Sequence, residues 1–189
     1  MFSDLKLRQR EELVLASASP RRAELLRKAS IPFIKCPVDF DEGKICEASP
    51  ERLVRLLAEA KSEACESQGL LLSSDTVVAL NGRIFGKPAD MQEARQFLGM
   101  LSGKTHQVHT GVCIRRNTVK FSWTATSHVT FRTLDGAAIG KYLELVNPLD
   151  KAGAYAIQEH GDLIISSYEG LLSTIIGLPI EEVCSIILD

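Results

Sequence analysis

The chain has 189 residues, of which 45% are hydrophobic and 24% charged, the ordinary usage of a globular protein. That length fits a single domain spanning 1–189, with enough residues to bury a core without disulfides or structural metals. The formal net charge of −2 argues against a protein held on nucleic acid mainly by phosphate neutralisation.

The cysteine pattern bears on metal sites and on the redox compartment. Cys36, Cys46, Cys65, Cys113 and Cys184 are scattered and form no C-x-x-C pair, which excludes a zinc ribbon and a thioredoxin-type motif. Reduced thiols in the cytoplasm are the simplest interpretation. The N-terminal dozen residues do not resemble a signal peptide, and no apolar run approaches the roughly 18 residues of a membrane span. We therefore expect a soluble cytoplasmic protein without a membrane partner.

The first half of the chain alternates apolar runs with amphipathic helices. In chain order we predict a strand at 13–16, a helix at 21–29, a helix from Pro50, a buried strand at 70–72, a hairpin at Asn81-Gly82 and a helix from Asp90. Ser19 is a suitable N-cap for the first helix, and Pro20 suits its first position. The predicted core stripe of the second helix is Leu53, Leu56, Leu57, Ala60 and Ala64.

The second half begins with alternating apolar and polar residues. We predict a long strand at 105–114, a second strand carrying Phe121 to Phe131, a helix at 135–146, a strand at 163–165 and a helix opening at Pro179. Strands, helices and hairpins mixed in this way indicate an α/β fold with a mixed, partly antiparallel sheet flanked by helices.

The segment Ser17-Ala18-Ser19-Pro20-Arg21-Arg22 is a candidate anion site. A strand that runs into a helix N-terminus leaves backbone N–H groups unpaired, and guanidinium groups match phosphate oxygens in pairs. The segment lacks the lysine and glycines of a Walker A loop. An ordinary helix cap followed by surface arginines is the alternative.

A second candidate is Asp75 in Ser73-Ser74-Asp75-Thr76, directly after an apolar strand. A partly buried carboxylate must be paired, hydrogen-bonded or bound to a metal, whereas a turn or capping aspartate would be the structural alternative. Gly86-Lys87-Pro88 presents Lys87 as a point charge at a rigid bend. The segment 150–158 offers Gln158, whose amide pairs with a base edge, unless it is simply a compact polar loop.

Two further patterns concern metals. His106 and His109 are three residues apart on a predicted strand, so they face opposite sides and do not form a zinc site. The acidic run 39–42 is either a solvated loop or a set of cation ligands. Residues 1–36 hold eight basic and four acidic residues, and residues 37–72 hold four basic and eight acidic ones, so a segment of +4 precedes one of −4.

Several short motifs occur in a fixed order: Ser-x-Ser-Pro-Arg-Arg, Asp-Thr, Gly-Lys-Pro, Leu-Ser-Gly-Lys-x-His, Asp-Lys-Ala-Gly-Ala-Tyr-x-Ile-Gln and Gly-Leu-Pro. In this order the sequence resembles the Maf family of nucleoside triphosphate pyrophosphatases from Leu13 to about Val183. The resemblance implies two lobes around a nucleotide cleft. It also implies hydrolysis between the α- and β-phosphates with a divalent metal, Mg²⁺ or Mn²⁺, as cofactor.

The resemblance also assigns roles to residues. Asp75 corresponds to the central catalytic carboxylate, with Lys61 and Lys87 as catalytic lysines, and Glu42 as a metal ligand beside Asp75. The phosphate and substrate contacts that it implies are Ser17, Ser19, Arg21, Arg22, Thr76 and Gln158. Mg²⁺ and these cations would neutralise the triphosphate and orient a water molecule. Whether Asp75 is base, metal ligand or both stays open.

The Ala-Gly-Ala-Tyr-x-Ile-Gln pattern resembles the branch of the family that acts on dTTP and UTP, in which the positions of Arg21, Thr76 and Gln158 track with substrate choice. Ser73-Ser74 stands where Gly-Ala is usual, and Glu159 where glycine is usual. We expect a pyrimidine nucleotide pyrophosphatase that cleanses the nucleotide pool. Hydrolysis of 7-methyl-GTP or another purine nucleotide, and a non-catalytic nucleotide-binding regulator of cell division, are the alternatives. The oligomeric state stays open, with a homodimer as one option.

Overall fold

The computed structural model describes residues 3–188. The helices are α1 (Pro20–Lys28), α2 (Pro50–Glu63), α3 (Met91–Leu101), α4 (Gly136–Leu145), α5 (Leu172–Ile176) and α6 (Ile180–Ile187). The strands are β1 (Leu13–Leu15), β2 (Phe33–Lys35), β3 (Leu71–Leu80), β4 (Arg83–Phe85), β5 (Thr105–Arg116), β6 (Val119–Phe131) and β7 (Ile165–Glu169). Within residues 3–188, no helix combines the length and apolar character that crossing a bilayer requires.

The strands form one seven-stranded mixed sheet in the order β2-β1-β3-β5-β6-β7, with β4 also paired to β3. β1 lies parallel to β2 and β3, while β3, β4, β5, β6 and β7 pair antiparallel. The α/β fold with a mixed, partly antiparallel sheet is therefore confirmed. The Asn81-Gly82 hairpin is confirmed too, with both residues at positive φ.

The two larger apolar cores of the described residues lie along this sheet and account for the two lobes. The first joins the start of β3 and the end of β5 to α1 and α6, around Leu26, Leu72 and Ile114. The second joins the end of β3 and the start of β5 to α3 and α4, around Phe97 and Tyr142. Because β3 and β5 contribute to both cores, the lobes share one continuous sheet.

Helix α2 lies across β3 and β5 at very short range. Gly111 on β5 makes this approach feasible: a Cβ atom there would stand 2.2 Å from the carbonyl oxygen of Val54. The buried residues of α2 are Val54, Leu57, Ala58 and Ser62. The predicted stripe was thus only partly right, because Ala64 is exposed and Leu53 faces a cleft beside the sheet.

The structure rules out the structural alternative for Asp75 and contradicts one predicted element. Asp75 lies in the middle of the ten-residue strand β3, so it is neither a turn residue nor a helix cap. The strand predicted at 163–165 begins only at Ile165, because His160 in the left-handed region and a 3₁₀ turn at Gly161–Leu163 bend the chain first. Ile164 is buried in the second core without being part of a strand.

Buried His106 gives the fold a predictable pH dependence. Its Nε2 lies 2.8 Å from the Tyr155 hydroxyl, and burial lowers the pKa of His106 from 6.5 to about 4. Since the unfolded chain takes up this proton near pH 6.5 and the folded chain only near pH 4, stability falls as the pH drops through that window. We expect His106 to contribute a loss of about 2 kcal/mol between pH 7 and pH 5.

Urea unfolding at pH 7 and pH 5 measures this loss directly. His106→Gln should flatten the pH dependence, whereas His160→Asn, at an exposed left-handed position that asparagine tolerates, should keep it. Equal pH dependence in the His106→Gln variant and the parent protein would contradict the assignment.

Candidate active site

The candidate site is a cleft in a gap along one edge of β3. On that edge β1 pairs with Leu71 and Leu72, and β4 pairs with residues from Val78 onward, so no strand of the described residues 3–188 lies beside residues 73–77 there. On the other edge, β5 pairs with this stretch throughout. The cleft has a volume of about 690 Å³, within the range of small-molecule sites.

The segment after β1 forms one end of the cleft. The Ser17 hydroxyl accepts hydrogen bonds from the Ser19 N–H (3.2 Å) and from Arg22 Nη1 (3.0 Å). Ser19 occupies the N-cap position of α1, as predicted, but its side chain makes no capping bond. Within the part of the chain that the structure describes, the first amides of α1 thus have no side-chain cap, which makes this helix end a suitable place for an anionic oxygen.

Arg22 connects this segment to β3 and to the C-terminus of α5. It donates from Nε to the Gly177 carbonyl (2.9 Å) and from Nη2 to the Thr76 hydroxyl (3.3 Å). Thr76 in turn lies 2.9 Å from the Thr110 hydroxyl, which donates to the Thr174 carbonyl. Burial lowers the pKa of Arg22, against the attraction of nearby Asp75. These bonds hold Arg22 and Thr76 in place before any ligand binds.

The two serines that stand where the family usually has Gly-Ala both donate hydrogen bonds to backbone carbonyls. The Ser73 hydroxyl donates to the Ala58 carbonyl of α2 (2.6 Å), and the Ser74 hydroxyl donates to the Gly177 carbonyl (2.9 Å). Side chains alternate along a strand, so Ser73 and Asp75 face α2, whereas Ser74 and Thr76 face α5. Ser73 and Ser74 therefore anchor β3 to α2 on one face and to the residue that follows α5 on the other.

The centre of the cleft is a cluster of opposite charges. Lys61 Nζ on α2 donates to Asp75 Oδ1 (2.5 Å) and to Glu42 Oε1 (2.7 Å). The Lys61 and Asp75 side chains are only 12% and 9% exposed, so the pair is largely shielded from water. Lys87 Nζ lies 3.8 Å from Glu42 Oε1 and is 60% exposed at the mouth of the cleft.

Glu42 stays ionised in this setting. Burial acts to raise its pKa, but the hydrogen bond and positive charge of Lys61, with smaller effects from Lys87 and Arg22, lower the pKa below its ordinary value. An ionised carboxylate close to Asp75 gives the cleft two hard oxygen donors.

This donor set fits a magnesium-type cation that is shared with a substrate. Within residues 3–188, no three His, Cys, Asp or Glu side chains converge on one point as a protein-only metal centre would need. Mg²⁺ is usually held by one or two carboxylates together with substrate phosphates and water. Asp75 and Glu42 meet that description, and each accepts a hydrogen bond from Lys61.

The segment 150–158 lies along the cleft and is mostly buried, with Asp150, Tyr155 and Gln158 among the residues that line the cleft. Gly153 at φ +69° accounts for its close fit, because a Cβ there would stand 2.8 Å from the side chain of Val78. Arg21 Nη1 donates to Asp150 Oδ2 (3.0 Å), which joins the end of the cleft at α1 to this segment. Gln158 also lines the cleft, with its side chain exposed.

Buried Lys151 holds the segment 150–158 in place through three polar contacts, a role that the sequence did not indicate. Its Nζ lies 2.8 Å from both Asp150 Oδ1 and the Asn147 carbonyl, and 3.2 Å from Glu159 Oε2. Glu159, at the position where the family usually has glycine, therefore forms an ion pair next to Gln158. A lysine inside the motif was visible in the sequence, but nothing local indicated that it would be buried.

The structure brings all of the predicted site residues to one cleft. Those that line it are Ser17, Ser19, Arg21, Arg22, Glu42, Lys61, Asp75, Thr76, Lys87 and Gln158. His106 and His109 lie on opposite faces of β5: His106 contacts Tyr155, while His109 Nδ1 lies 2.9 Å from the Thr126 hydroxyl and 4.0 Å from Glu51. The segment of +4 and the segment of −4 meet where Arg22, Lys61 and Glu42 converge.

Sequence comparisons with known proteins identify the family of this chain. The family model described as "Maf-like protein" matches residues 12–189. The chain belongs to the Maf family. Its relatives include a dTTP/UTP pyrophosphatase of Akkermansia muciniphila, 44% identical over 90% of this chain and 92% of the relative. A dTTP/UTP pyrophosphatase of Acholeplasma laidlawii is 41% identical over 89% and 91%. One from Thermosipho africanus is 39% identical over 94% and 93%. The Maf fold expected from the sequence motifs is thereby confirmed.

Proposed function

We propose that this Maf protein hydrolyses dTTP and UTP to the nucleoside monophosphate and pyrophosphate. The observation that carries the proposal is the Glu42–Lys61–Asp75 cluster, set between an uncapped helix N-terminus and a wall that ends in Gln158. The relatives named above, about 40% identical over most of their length, bear the name of that activity.

In this proposal the triphosphate lies along the gap in β3, with its phosphates toward α1. The amides at the start of α1, the Ser19 hydroxyl and Arg21 donate to phosphate oxygens. Lys87 at the mouth and Lys61 at the centre add positive charge where negative charge develops in the transition state. These donors are largely in position before the nucleotide arrives, so little reorganisation is needed at the moment of reaction.

Asp75 is the group that acts on the attacking water. Its carboxylate lies on a central strand and is paired with Lys61, so it is held in a position where it can accept a hydrogen bond from a water molecule in the cleft. Asp75 and Glu42 would hold a divalent cation, Mg²⁺ or Mn²⁺. When bound, the cation would neutralise phosphate oxygens and lower the pKa of a bound water.

The base is selected at the other end of the cleft. The Gln158 side chain carries a donor and an acceptor that can pair with a pyrimidine edge. Thr76 and Arg21 are the other proposed specificity residues, and Arg21 reaches this segment from α1 through its hydrogen bond to Asp150. Arg21 is oriented by Asp150, and the ion pair between Lys151 and Glu159 stiffens the segment that presents Gln158.

A substrate panel tests the proposal. Purified protein is incubated with dTTP, UTP, CTP, ATP and 7-methyl-GTP, with Mg²⁺, Mn²⁺ or a chelator, and the released pyrophosphate and monophosphate are measured. We expect kcat/KM for dTTP and UTP to exceed that for the purine nucleotides by at least about tenfold, with no turnover in the chelator. Release of orthophosphate, a preference for 7-methyl-GTP, or tight binding without turnover would each contradict the proposal.

We further propose a cytoplasmic location and a homodimeric assembly. All five cysteines are free thiols, as a reducing compartment favours. Edge strand β7 exposes Tyr168, and Leu172 beyond it is also exposed, which gives a second copy an apolar surface to contact. Sedimentation of the purified protein measures the assembly.

A further inference from the structure

Two cysteines far apart in the sequence meet at one side of the sheet. Cys36 follows β2, and Cys65 follows α2. Their sulfur atoms are 3.0 Å apart, so the two thiols are within hydrogen-bonding distance of each other. Cys65 is buried and Cys36 is half-buried, in a small core with Val14, Ala16 and Leu71. A disulfide has a sulfur–sulfur bond of about 2.05 Å, so the two sulfurs need to approach by only about 1 Å.

The residues between the two cysteines form one wall of the cleft. The segment 36–65 contributes Val38, Phe40, Glu42, Leu57 and Lys61 to the lining. A bond between Cys36 and Cys65 would join the two ends of this wall. It would not touch the charged cluster, because both sulfurs lie in the apolar core beneath the wall.

We propose that Cys36 and Cys65 are a site of reversible oxidation, at which a hydroperoxide converts the two thiols into a disulfide that fastens the cleft wall at both ends. The Cys36 sulfur first attacks the peroxide, the O–O bond breaks, and a sulfenic acid forms as water or an alcohol leaves. The Cys65 sulfur then attacks Cys36, the S–O bond breaks, and a second water leaves. The sulfurs give up two electrons in total, which reduce the peroxide, and a dithiol reverses the reaction.

The surroundings of the pair set the conditions for the reaction. Its hydrogen bond with Cys65, together with burial, raises the pKa of the Cys36 thiol above its ordinary value. Because the thiolate is the reactive form, the pair stays reduced until the oxidant is plentiful, and millimolar hydroperoxide is the suitable test. The half-buried Cys36 admits the oxidant, while buried Cys65 is protected from direct attack.

Closing a loop of about 30 residues with a disulfide restricts the unfolded chain and should raise the thermal midpoint by about 10 °C. This readout does not depend on nucleotide hydrolysis, so the oxidation site can fail or succeed independently of the proposed function. Exposed Cys46 lies on the same segment, and its replacement by serine provides the matched control.

The experiment treats the full chain with hydrogen peroxide, blocks the remaining thiols and maps tryptic peptides. We expect peptide 36–44 joined to peptide 62–83, with a mass two hydrogen atoms below their sum. Dithiothreitol should separate them and reverse the rise in the thermal midpoint. Cys46→Ser should behave like the parent protein, whereas Cys36→Ser should show neither effect.

Three outcomes would overturn the proposal. They are a sulfinic acid on Cys36 without a cross-link, a cross-link that includes the Cys46 peptide 45–52, and a rise in the thermal midpoint that persists in Cys36→Ser. The peptide map is made on the parent protein, so it decides the question even where the Cys36→Ser variant folds poorly.

Discussion

Asp75→Asn should lower kcat/KM for dTTP and UTP by at least about 10²-fold while the protein stays folded. Asparagine keeps the size of the side chain and an oxygen that accepts from Lys61, but it loses the negative charge and the ability to take up a proton. Lys61 keeps Glu42 as a partner, so the substitution does not leave a buried cation without an anion. Pyrophosphate release by the purified variant, compared at saturating and limiting substrate, is the measurement.

Asp162→Asn is the matched control, since Asp162 is exposed on a turn outside the cleft. It should leave turnover unchanged. Circular dichroism and the thermal midpoint of Asp75→Asn establish that the loss is chemical. Retained turnover in a folded Asp75→Asn protein would show that another group acts on the water.

Gly111→Ala should destabilise the protein by about 3 kcal/mol, at the upper end of the overpacking costs seen in cores. The added methyl would stand 2.2 Å from the Val54 carbonyl oxygen. This oxygen belongs to the backbone, so it cannot relieve the clash by a change of rotamer. Helix α2 must therefore move away from β5. Because α2 carries Lys61, the shift should also lengthen the contact between Lys61 and Asp75 and lower turnover.

Urea unfolding followed by the fluorescence of Trp123, the only tryptophan, measures this effect. Gly99→Ala is the control, because a Cβ there meets nothing within 4 Å and alanine stabilises a helix interior by about 0.5–1 kcal/mol relative to glycine. Equal stability of the Gly111→Ala variant and the parent protein would mean that α2 does not pack against β5 as closely as the structure has it.

Local chemistry made much of the fold predictable. The start of α3 is an example: the Asp90 side chain accepts from the Glu93 N–H, and Glu93 accepts from the Ala89 N–H, as a capping pair does. The Asn81-Gly82 turn is another. Both depend only on residues within four positions of one another in the sequence. The strand predicted at 163–165 was placed wrongly because a buried segment is apolar whether or not it pairs as a strand.

The site was harder to predict from residue patterns. The candidates at Ser17–Arg22, Asp75, Lys87 and Gln158 came from local patterns. Lys61 came only from the family resemblance, because a lysine on an amphipathic helix looks like any solvated lysine. The acidic run 39–42 was a local candidate for cation ligands, and the resemblance singled out Glu42 within it. The gap in β3 depends on where β1 stops and β4 begins, which no local pattern encodes. Nor could the burial of Lys151 be foreseen, since its three partners meet only after the chain has turned.

The unbroken strands β3 and β5 have a consequence for how the protein distinguishes nucleotides. Both run from one core to the other, so the lobes have no interdomain linker about which to rotate. Because these two strands are continuous, we expect the width of the cleft to stay nearly constant when a nucleotide binds. Discrimination between nucleotides should then depend on steric and hydrogen-bonding fit to a preformed cleft rather than on a closing motion. Crystals of the free protein should therefore bind soaked nucleotide without cracking.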